Sequence, residues 1–336
     1  MTAGRNGSMD TARGIAVAGM IVAHFVPLDG LGTAGAKLID GTPAALFFVL
    51  IGMAWAIQAD RKPDSWRLVI RRSLALLVLG LLLHRLVWPT EVLVPYAVML
   101  GPALLIRRGG RWALFSVIAG LMVLSVVGAG YFAQFSKVDW SEDGSSYLAD
   151  SSFGWQTLRY LLFNGNYPVI PWLAFPLIGM LFVRDGKVLA QYMGRIFGLA
   201  VSLSAVMAGV TFWTESHGLG SSIYWSTTWV PTTLPFMLLK TGFVLAIMAG
   251  LSYWQVCWRW VAPVGRASLT HYLAHICLVF VVLRHFFPEE DWPARIGLMA
   301  AGAYWVVAVP LSVWWFRSHK RGPVEGVLAW ASGTNG

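Results

Sequence analysis

Long apolar runs separated by short polar segments are the feature that most constrains this chain. The sequence is 57% hydrophobic and 12% charged, with a mean hydropathy of +0.63, whereas a soluble domain is about 45–50% apolar and about 25% charged. Runs of this kind cross a bilayer as helices. The predicted spans are Thr11–Leu28, Thr42–Ala59, Arg72–Trp88, Val92–Ile106, Trp112–Gln134, Tyr167–Val183, Ile196–Trp213, Trp229–Trp254, Ser268–Phe287 and Ala294–Phe316. The pattern predicts an all-α polytopic membrane protein of about ten helices with a central cavity or tunnel. It excludes a soluble enzyme, a secreted disulfide scaffold and a disordered chain.

The positive charges lie on one side of the predicted bundle. The N-terminus and every second loop hold 18 of the 25 lysines and arginines, and the other loops hold six. Because basic residues collect in cytoplasmic loops, both termini are predicted to be cytoplasmic. The net charge of +9 is therefore a membrane-orientation signal, and no nucleic-acid partner is expected. We expect a single transmembrane domain over residues 1–336, with a polar external loop at 135–166 and a cytoplasmic tail at 317–336.

Several ionisable side chains fall inside the predicted spans. Such a residue costs at least about 2.5–3.5 kcal/mol at the bilayer centre, so it usually faces a cavity or a partner. From the helical rise, His24 lies roughly 16 Å from Arg13, and His275 lies roughly 13 Å from Arg266. Both histidines are therefore predicted near the middle of the bilayer, and the alternative for each is a hydrogen-bonded packing histidine. Other spans place further ionisable residues at similar depth, namely His84, Arg85 and Lys240.

Three more residues are candidates because of their spacing or position. His271 precedes His275 by one helical turn and shares its face. This HYLAH segment has a metal-ligand spacing but no carboxylate nearby at that depth, so no metal is expected. Asp29 and Asp40 bracket the first external loop, where they can orient a histidine, bind substrate or simply be solvated.

Five stretches together resemble known membrane acyltransferases. Residues 9–24 (MDTARGIAVAGMIVAH) are similar to a D-x-x-RG start followed by a polar residue in the first span, and residues 47–57 (FFVLIGMAWAI) match the second span. Residues 166–180 (NYPVIPWLAFPLIGM) and 265–275 (GRASLTHYLAH) resemble the PxIPW and GRxSLxxYLxH segments of the heparan-α-glucosaminide N-acetyltransferase catalytic family. Residues 322–330 (GPVEGVLAW) are similar to the tail of YeiB-like bacterial proteins, and D-x-x-RG also occurs in the broader acyltransferase-3 group.

The resemblance implies an enzyme that moves an acetyl group from cytosolic acetyl-CoA to an amine or hydroxyl of an extracytoplasmic acceptor. It further implies a glycan or amino-sugar acceptor and the inner membrane of a bacterium. The residues that match the family by position are Asp10, Arg13, Gly14, Asp40 and His275. His24 stands where these families place a polar residue, which is a histidine in the acyltransferase-3 group and an asparagine in the lysosomal enzyme.

Acyl transfer assigns roles to these residues. The reaction needs a base for the acceptor's proton and a donor for the oxyanion, and imidazole suits both at neutral pH. We therefore expect His24, His275 and Asp40 to be catalytic, with one histidine as base and the other as oxyanion donor, in either order. Because arginine favours bidentate contact with phosphate, the predicted CoA contacts are Arg13, Arg71, Arg72 and Arg266. The residues predicted to bind substrate are Asp29, His84, Arg85, Lys240 and His271.

Two other functions fit parts of the sequence. A secondary transporter also has many spans, buried charges and a proline-broken span, here at 166–180, but it commonly shows two repeated halves, and no repeat is evident. A non-catalytic subunit would not need to bear the cost of buried ionisable residues. Binding of acyl-CoA from the cytosolic side separates the enzyme from both. The sequence leaves the acceptor, the acyl length and a homodimer open.

Overall fold

The computed structural model is helical throughout the residues that it describes, which are 7–27, 32–61, 65–87, 91–135, 158–219, 225, 227, 232–279 and 293–333, and no strand occurs among them. Its helices are α1 (Gly7–Phe25), α2 (Gly32–Ile39), α3 (Thr42–Arg61), α4 (Ser65–Leu86), α5 (Leu93–Arg107), α6 (Arg111–Phe135), α7 (Val169–Trp172), α8 (Ala174–Arg184), α9 (Gly186–Ser216), α10 (Leu234–Tyr253), α11 (Val261–Arg266), α12 (Ser268–Cys277), α13 (Ala294–Trp315) and α14 (Pro323–Ala331). A π-helical turn covers Tyr160–Asn164.

A helix lies within each of the ten predicted runs. The sixth run is divided into α7 and α8 by Pro176. Proline has no backbone N–H to donate to the carbonyl four residues earlier, that of Trp172, and its ring clashes with that carbonyl. The ninth run is described only as far as residue 279. Within the described ranges, four segments are long and apolar enough to cross a membrane by themselves: 35–60, 186–216, 234–253 and 294–315. The number of ten spans therefore remains a prediction.

The outer helices present apolar faces. In α9 the side chains of Leu199 and Phe212 are more than 70% exposed, and in α13 the same holds for Met299 and Val306. Water-soluble proteins rarely expose continuous apolar surface of this extent. These faces are those of a membrane protein, in which lipid covers the surface.

The core forms where α1, α3 and α8 pack side by side. Gly52 of α3 and Gly179 of α8 lie at the closest approach, where an added Cβ would collide with the carbonyl of Pro176 or of Val49, respectively. Small residues at such crossings let helix backbones approach in membranes. Trp172 is fully buried beside this crossing and donates its indole N–H to Thr232 at 2.9 Å.

The helices α11 and α12 return the chain to α1. Gly265 packs against the backbone of Asp10, so that a Cβ there would collide with the Asp10 carbonyl. The next helix, α12, continues along α1 and contacts it. This close crossing brings the last turn of α1 and the last turn of α12 together, and each of these turns carries a histidine.

The tail predicted at 317–336 is folded against the bundle as far as the structure describes it. Helix α14 packs on α4 and α12. The carboxylate of Glu325 accepts hydrogen bonds from the backbone N–H of Leu269 at 2.7 Å and from the Thr270 hydroxyl at 2.6 Å, and that hydroxyl accepts from the N–H of Val324 at 3.1 Å. The two helix N-termini therefore cap each other.

Candidate active site

Two histidines from opposite ends of the chain form a hydrogen-bonded pair inside the bundle. Nδ1 of His24 lies 2.8 Å from Nε2 of His275. Their rings are stacked, with centroids 5.1 Å apart and planes 11° apart. His275 is fully buried and His24 is half-buried. The structure thus joins laterally the two residues that the sequence placed only at similar depth.

A backbone carbonyl sets the direction of the hydrogen bonds through this pair. Nδ1 of His275 lies 2.8 Å from the carbonyl oxygen of His271, and since a carbonyl can only accept, His275 carries its hydrogen on Nδ1. In the neutral pair, Nε2 of His275 is then the acceptor and Nδ1 of His24 is the donor. The lone pair of His24 lies on its other nitrogen, Nε2. Chemically, this arrangement can act as a base backed by an orienting imidazole.

His271 supports the pair from behind. Its Nδ1 lies 2.9 Å from the Tyr304 hydroxyl, and its Nε2 lies 2.8 Å from the Ser312 hydroxyl. The Tyr304 hydroxyl also donates to the His271 carbonyl at 3.3 Å, the same carbonyl that His275 contacts. Because both ring nitrogens have hydroxyl partners, this geometry favours a positioning role for His271 over direct contact with substrate.

A cavity of about 610 Å³ lies at the end of the bundle where basic residues collect. This volume is in the range of sites for small molecules and cofactors. Its walls come from α1, α3, α4, α5, α11, α12 and α14 and from the segment that precedes α14. The cations that line it are Arg13, Arg72, Arg266, Lys320 and Arg321. Two carboxylates, Asp10 and Glu325, also line the cavity, so the five cations are in excess and favour an anionic ligand.

Neighbouring groups hold two of these arginines in place. Nη1 of Arg13 donates to Oδ1 of the buried Asp10 at 2.9 Å. The guanidinium of Arg266 lies over the ring of Phe316, 3.8 Å from its centroid, and its Nη2 donates to the carbonyl of Lys320 at 3.3 Å. Ordered arginine forks lose less entropy when they bind a phosphate.

Tyr272 contacts both the histidine pair and the residue that precedes a cavity-lining side chain. Leu93 lines the cavity, and the adjacent Val92 donates its backbone N–H to the Tyr272 hydroxyl at 3.2 Å. On its other side, the ring of Tyr272 lies against that of His275, with centroids 5.7 Å apart and planes at 69°. Tyr272 is buried. Tyr272 therefore links the histidine pair to the start of α5, part of which lines the cavity.

Lys240 has a backbone partner. It is fully buried near the start of α10, and its Nζ donates to the carbonyl of Lys37 in α2 at 2.6 Å. The rings of Phe236 and Phe243 lie 5.3 and 5.8 Å from Nζ. The side chain of Lys37 forms an ion pair with Glu215 at 2.7 Å. These contacts attach α2 to α9 and α10, and they support a structural role for Lys240.

The remaining predicted residues have varied surroundings. Asp40 follows α2 directly, is half-buried and lies within electrostatic range of Lys240. On α4, His84 is buried whereas the adjacent Arg85 is exposed, so these two side chains face different surroundings. Arg71 is exposed and does not line the cavity. Asp29 lies outside the described residues.

Five residues near the site were absent from the sequence-based candidates: Lys320, Arg321, Glu325, Tyr272 and Glu91. The first three belong to the tail, whose basic residues the sequence explains first as an orientation signal, although they could also meet phosphates at a cytoplasmic mouth. Tyr272 stands one turn before His275 in the GRASLTHYLAH segment, and this spacing is the signal that could have found it. Glu91 is buried and caps α5 by accepting from the N–H of Val94 at 3.0 Å.

Comparisons with known proteins give two family matches. The model described as "Heparan-alpha-glucosaminide N-acetyltransferase, catalytic" matches residues 5–217, which is more than half of the chain. A model described as "Protein of unknown function (DUF418)" matches residues 181–334. No curated protein and no solved structure gave a match. The two family models together cover nearly the whole chain, including every helix described above.

Proposed function

Because the chain belongs to the heparan-α-glucosaminide N-acetyltransferase catalytic family, we propose that it transfers the acetyl group of acetyl-CoA to an amine or hydroxyl on the other side of the membrane. The observation that carries this proposal is the 2.8 Å contact between His24 and His275. A scaffold has no need of a buried, directionally ordered imidazole pair, and the family match favours acetyl transfer over transport. An acyl transfer between an amine and a thioester needs such a base.

We assign the role of base to His24. As the acceptor nitrogen or oxygen attacks the thioester carbon, its proton passes to Nε2 of His24. The resulting positive charge is stabilised through Nδ1–H of His24 and the orienting His275, whose own Nδ1–H is held by the His271 carbonyl. When the carbon–sulfur bond breaks, the proton on His24 passes to the leaving sulfur. The products are the acetylated acceptor and CoA with a free thiol, and the histidines return to their starting state.

The basic cavity is the proposed site for the phosphates of the donor. Arg13 lines the cavity and His24 lies eleven residues further along α1, about 16 Å away by helical rise. The extended arm of CoA that joins its diphosphate to its thioester suits this separation. Arg13, Arg72 and Arg266 would hold the phosphates, as would Lys320 and Arg321. No metal is needed for this assignment.

The proposed orientation follows from the same charges. The cavity cations lie at one end of the bundle, and positive residues are retained on the cytoplasmic side. We therefore place the cavity and both ends of the described chain in the cytoplasm of a bacterium. The acceptor, a glycan or amino sugar in this proposal, then approaches from the side of α2 and Asp40.

Acetyl transfer by the purified chain tests the proposal. Full-length protein in detergent is incubated with radiolabelled acetyl-CoA and glucosamine as the amine probe, and labelled N-acetylglucosamine and free CoA thiol are measured. We expect His24→Gln to lower kcat by at least about 100-fold, since a positioned general base contributes about 10²–10⁴. His217→Gln, at an exposed position beyond α9, is the matched control and should retain activity. Full activity in His24→Gln would contradict the assigned base, and failure of the wild type to bind acetyl-CoA in a thermal-shift titration would contradict the function.

A further inference from the structure

The histidine pair has no hydrogen left for the oxyanion. Of the two nitrogens of His275, Nδ1–H is committed to the His271 carbonyl and Nε2 accepts from His24. Nδ1–H of His24 is committed to His275, and Nε2 of His24 is the basic nitrogen. The negative oxygen that forms when the acceptor attacks the thioester must therefore find its donor elsewhere.

We infer that the Tyr272 hydroxyl is that donor, a catalytic residue for the acetyl transfer proposed above, on which this inference rests. The ring of Tyr272 lies against that of His275, and its hydroxyl contacts Val92, which precedes the cavity-lining Leu93. Its hydroxyl oxygen accepts the backbone N–H of Val92 at 3.2 Å, so the hydroxyl hydrogen remains for donation. The helix α12 holds Tyr272 and His275 three residues apart, which places both on one face.

Burial makes this donor effective. Tyr272 is 3% exposed, and a fixed donor in a water-excluded site stabilises charge far more than one in water. The contact from Val92 holds the hydroxyl before substrate arrives. The tyrosine donates a hydrogen bond to the thioester oxygen as its charge develops and keeps its proton throughout, so the atom balance of the transfer is unchanged.

Removal of this one hydroxyl is the first test. In the acetyl-transfer assay, Tyr272→Phe should lower kcat by about 100-fold, the usual cost of one oxyanion donor, while KM for acetyl-CoA stays within about threefold. Tyr253→Phe, an exposed tyrosine at the end of α10, is the control. An unchanged kcat in Tyr272→Phe beside an active wild type would overturn the inference and leave the proposed function standing.

A second substitution separates donation from a packing role, since the phenylalanine also removes the acceptor for Val92. Replacing Tyr272 by 3-fluorotyrosine makes the hydroxyl a stronger donor and a weaker acceptor. We expect kcat to be retained or raised. A fall as large as that of Tyr272→Phe would show that the Val92 contact is what matters, and would overturn the inference.

A spectroscopic measurement that needs no turnover tests the same inference if glucosamine is a slow acceptor. The infrared carbonyl band of bound [1-¹³C]acetyl-CoA should shift to lower frequency in the wild type and return towards its free position in Tyr272→Phe. An identical band frequency in the wild type and in Tyr272→Phe would overturn the role of Tyr272 and leave the proposed function standing. If acetyl-CoA does not bind the wild type, the proposed function fails and the inference with it.

Discussion

Adjacent residues of this chain differ in role because they face different surroundings. Arg72 is half-buried, lines the basic cavity and lies 3.5 Å from Oε1 of Gln58 through its Nη1. Arg71, its neighbour on α4, is exposed and does not line the cavity. Residue type and order alone make the two arginines equivalent, whereas the phase of the helix separates them.

Arg72 and Arg71 give a matched prediction for the binding of acetyl-CoA. Arg72→Gln removes a cation from the cavity, and loss of one hydrogen bond to a charged phosphate should raise KM for acetyl-CoA roughly tenfold. Arg71→Gln removes the same charge from the exposed face and should leave KM within about twofold. Steady-state kinetics on both variants decides the point. Equal effects of the two substitutions would show that general surface charge, not the cavity, attracts the donor.

At the scale of elements, the mutual cap between α12 and α14 holds the helix that carries Tyr272 and His275. Glu325 satisfies the first backbone N–H groups of α12, which have no partner within the helix. The negative carboxylate also suits the positive end of the helix dipole. The tail segment thus stabilises the helix that carries His275 from the far end of the chain.

Loss of this cap should appear as lost stability. Glu325→Ala leaves the N–H groups of Leu269 and Thr270 without their acceptor, and we expect the unfolding free energy to fall by about 1–3 kcal/mol. Glu325→Gln keeps an acceptor oxygen and should lose less. Val327→Ala, at an exposed position on the same helix, should change stability by less than about 0.5 kcal/mol. Thermal or denaturant unfolding in detergent measures all three, and equal losses in the alanine and glutamine variants would argue against the cap.

At the scale of the whole molecule, the chain closes on itself. The N-terminal helix supplies Arg13 to the cavity, and the last helix supplies Glu325 to the same cavity. In α2, Lys37 forms an ion pair with Glu215 and accepts a hydrogen bond from Lys240 through its carbonyl, so α2 is attached to helices from later in the chain. The excess of basic residues at the cavity end leads to the proposed orientation across the membrane.

Single cysteines test that orientation. In a variant with Cys257 and Cys277 replaced by alanine, Ser216→Cys at the end of α9 and Ser318→Cys before α14 are both exposed positions. A membrane-impermeant maleimide applied to intact cells should label the cysteine at 216 and should label the one at 318 only after lysis. Labelling of position 318 in intact cells would contradict a cytoplasmic cavity.

The sequence by itself determined the helical class, the approximate position of every long helix and the family. Apolar runs and short family motifs are local properties, and both can be recognised along the chain. The family assignment read from those motifs is confirmed by the match over residues 5–217. The sequence also identified His24 and His275 as candidates, since an ionisable residue within an apolar run can be recognised without knowledge of the fold. The prolines of residues 166–180 marked the sixth run as a broken span, and the structure places the break at Leu173.

Only the tertiary structure decided which of those residues meet. The close crossing of Gly265 over Asp10 brings α12 beside α1, and this crossing joins two histidines that are 251 residues apart. The direction of their hydrogen bonds depends on the carbonyl of His271, a group that every residue has and no composition reveals. The inclusion of Arg72 and the exclusion of Arg71 depend on how α4 is rotated about its axis. Burial and lateral contact are properties of packed helices, and they cannot be read from the order of residues along the chain without the fold.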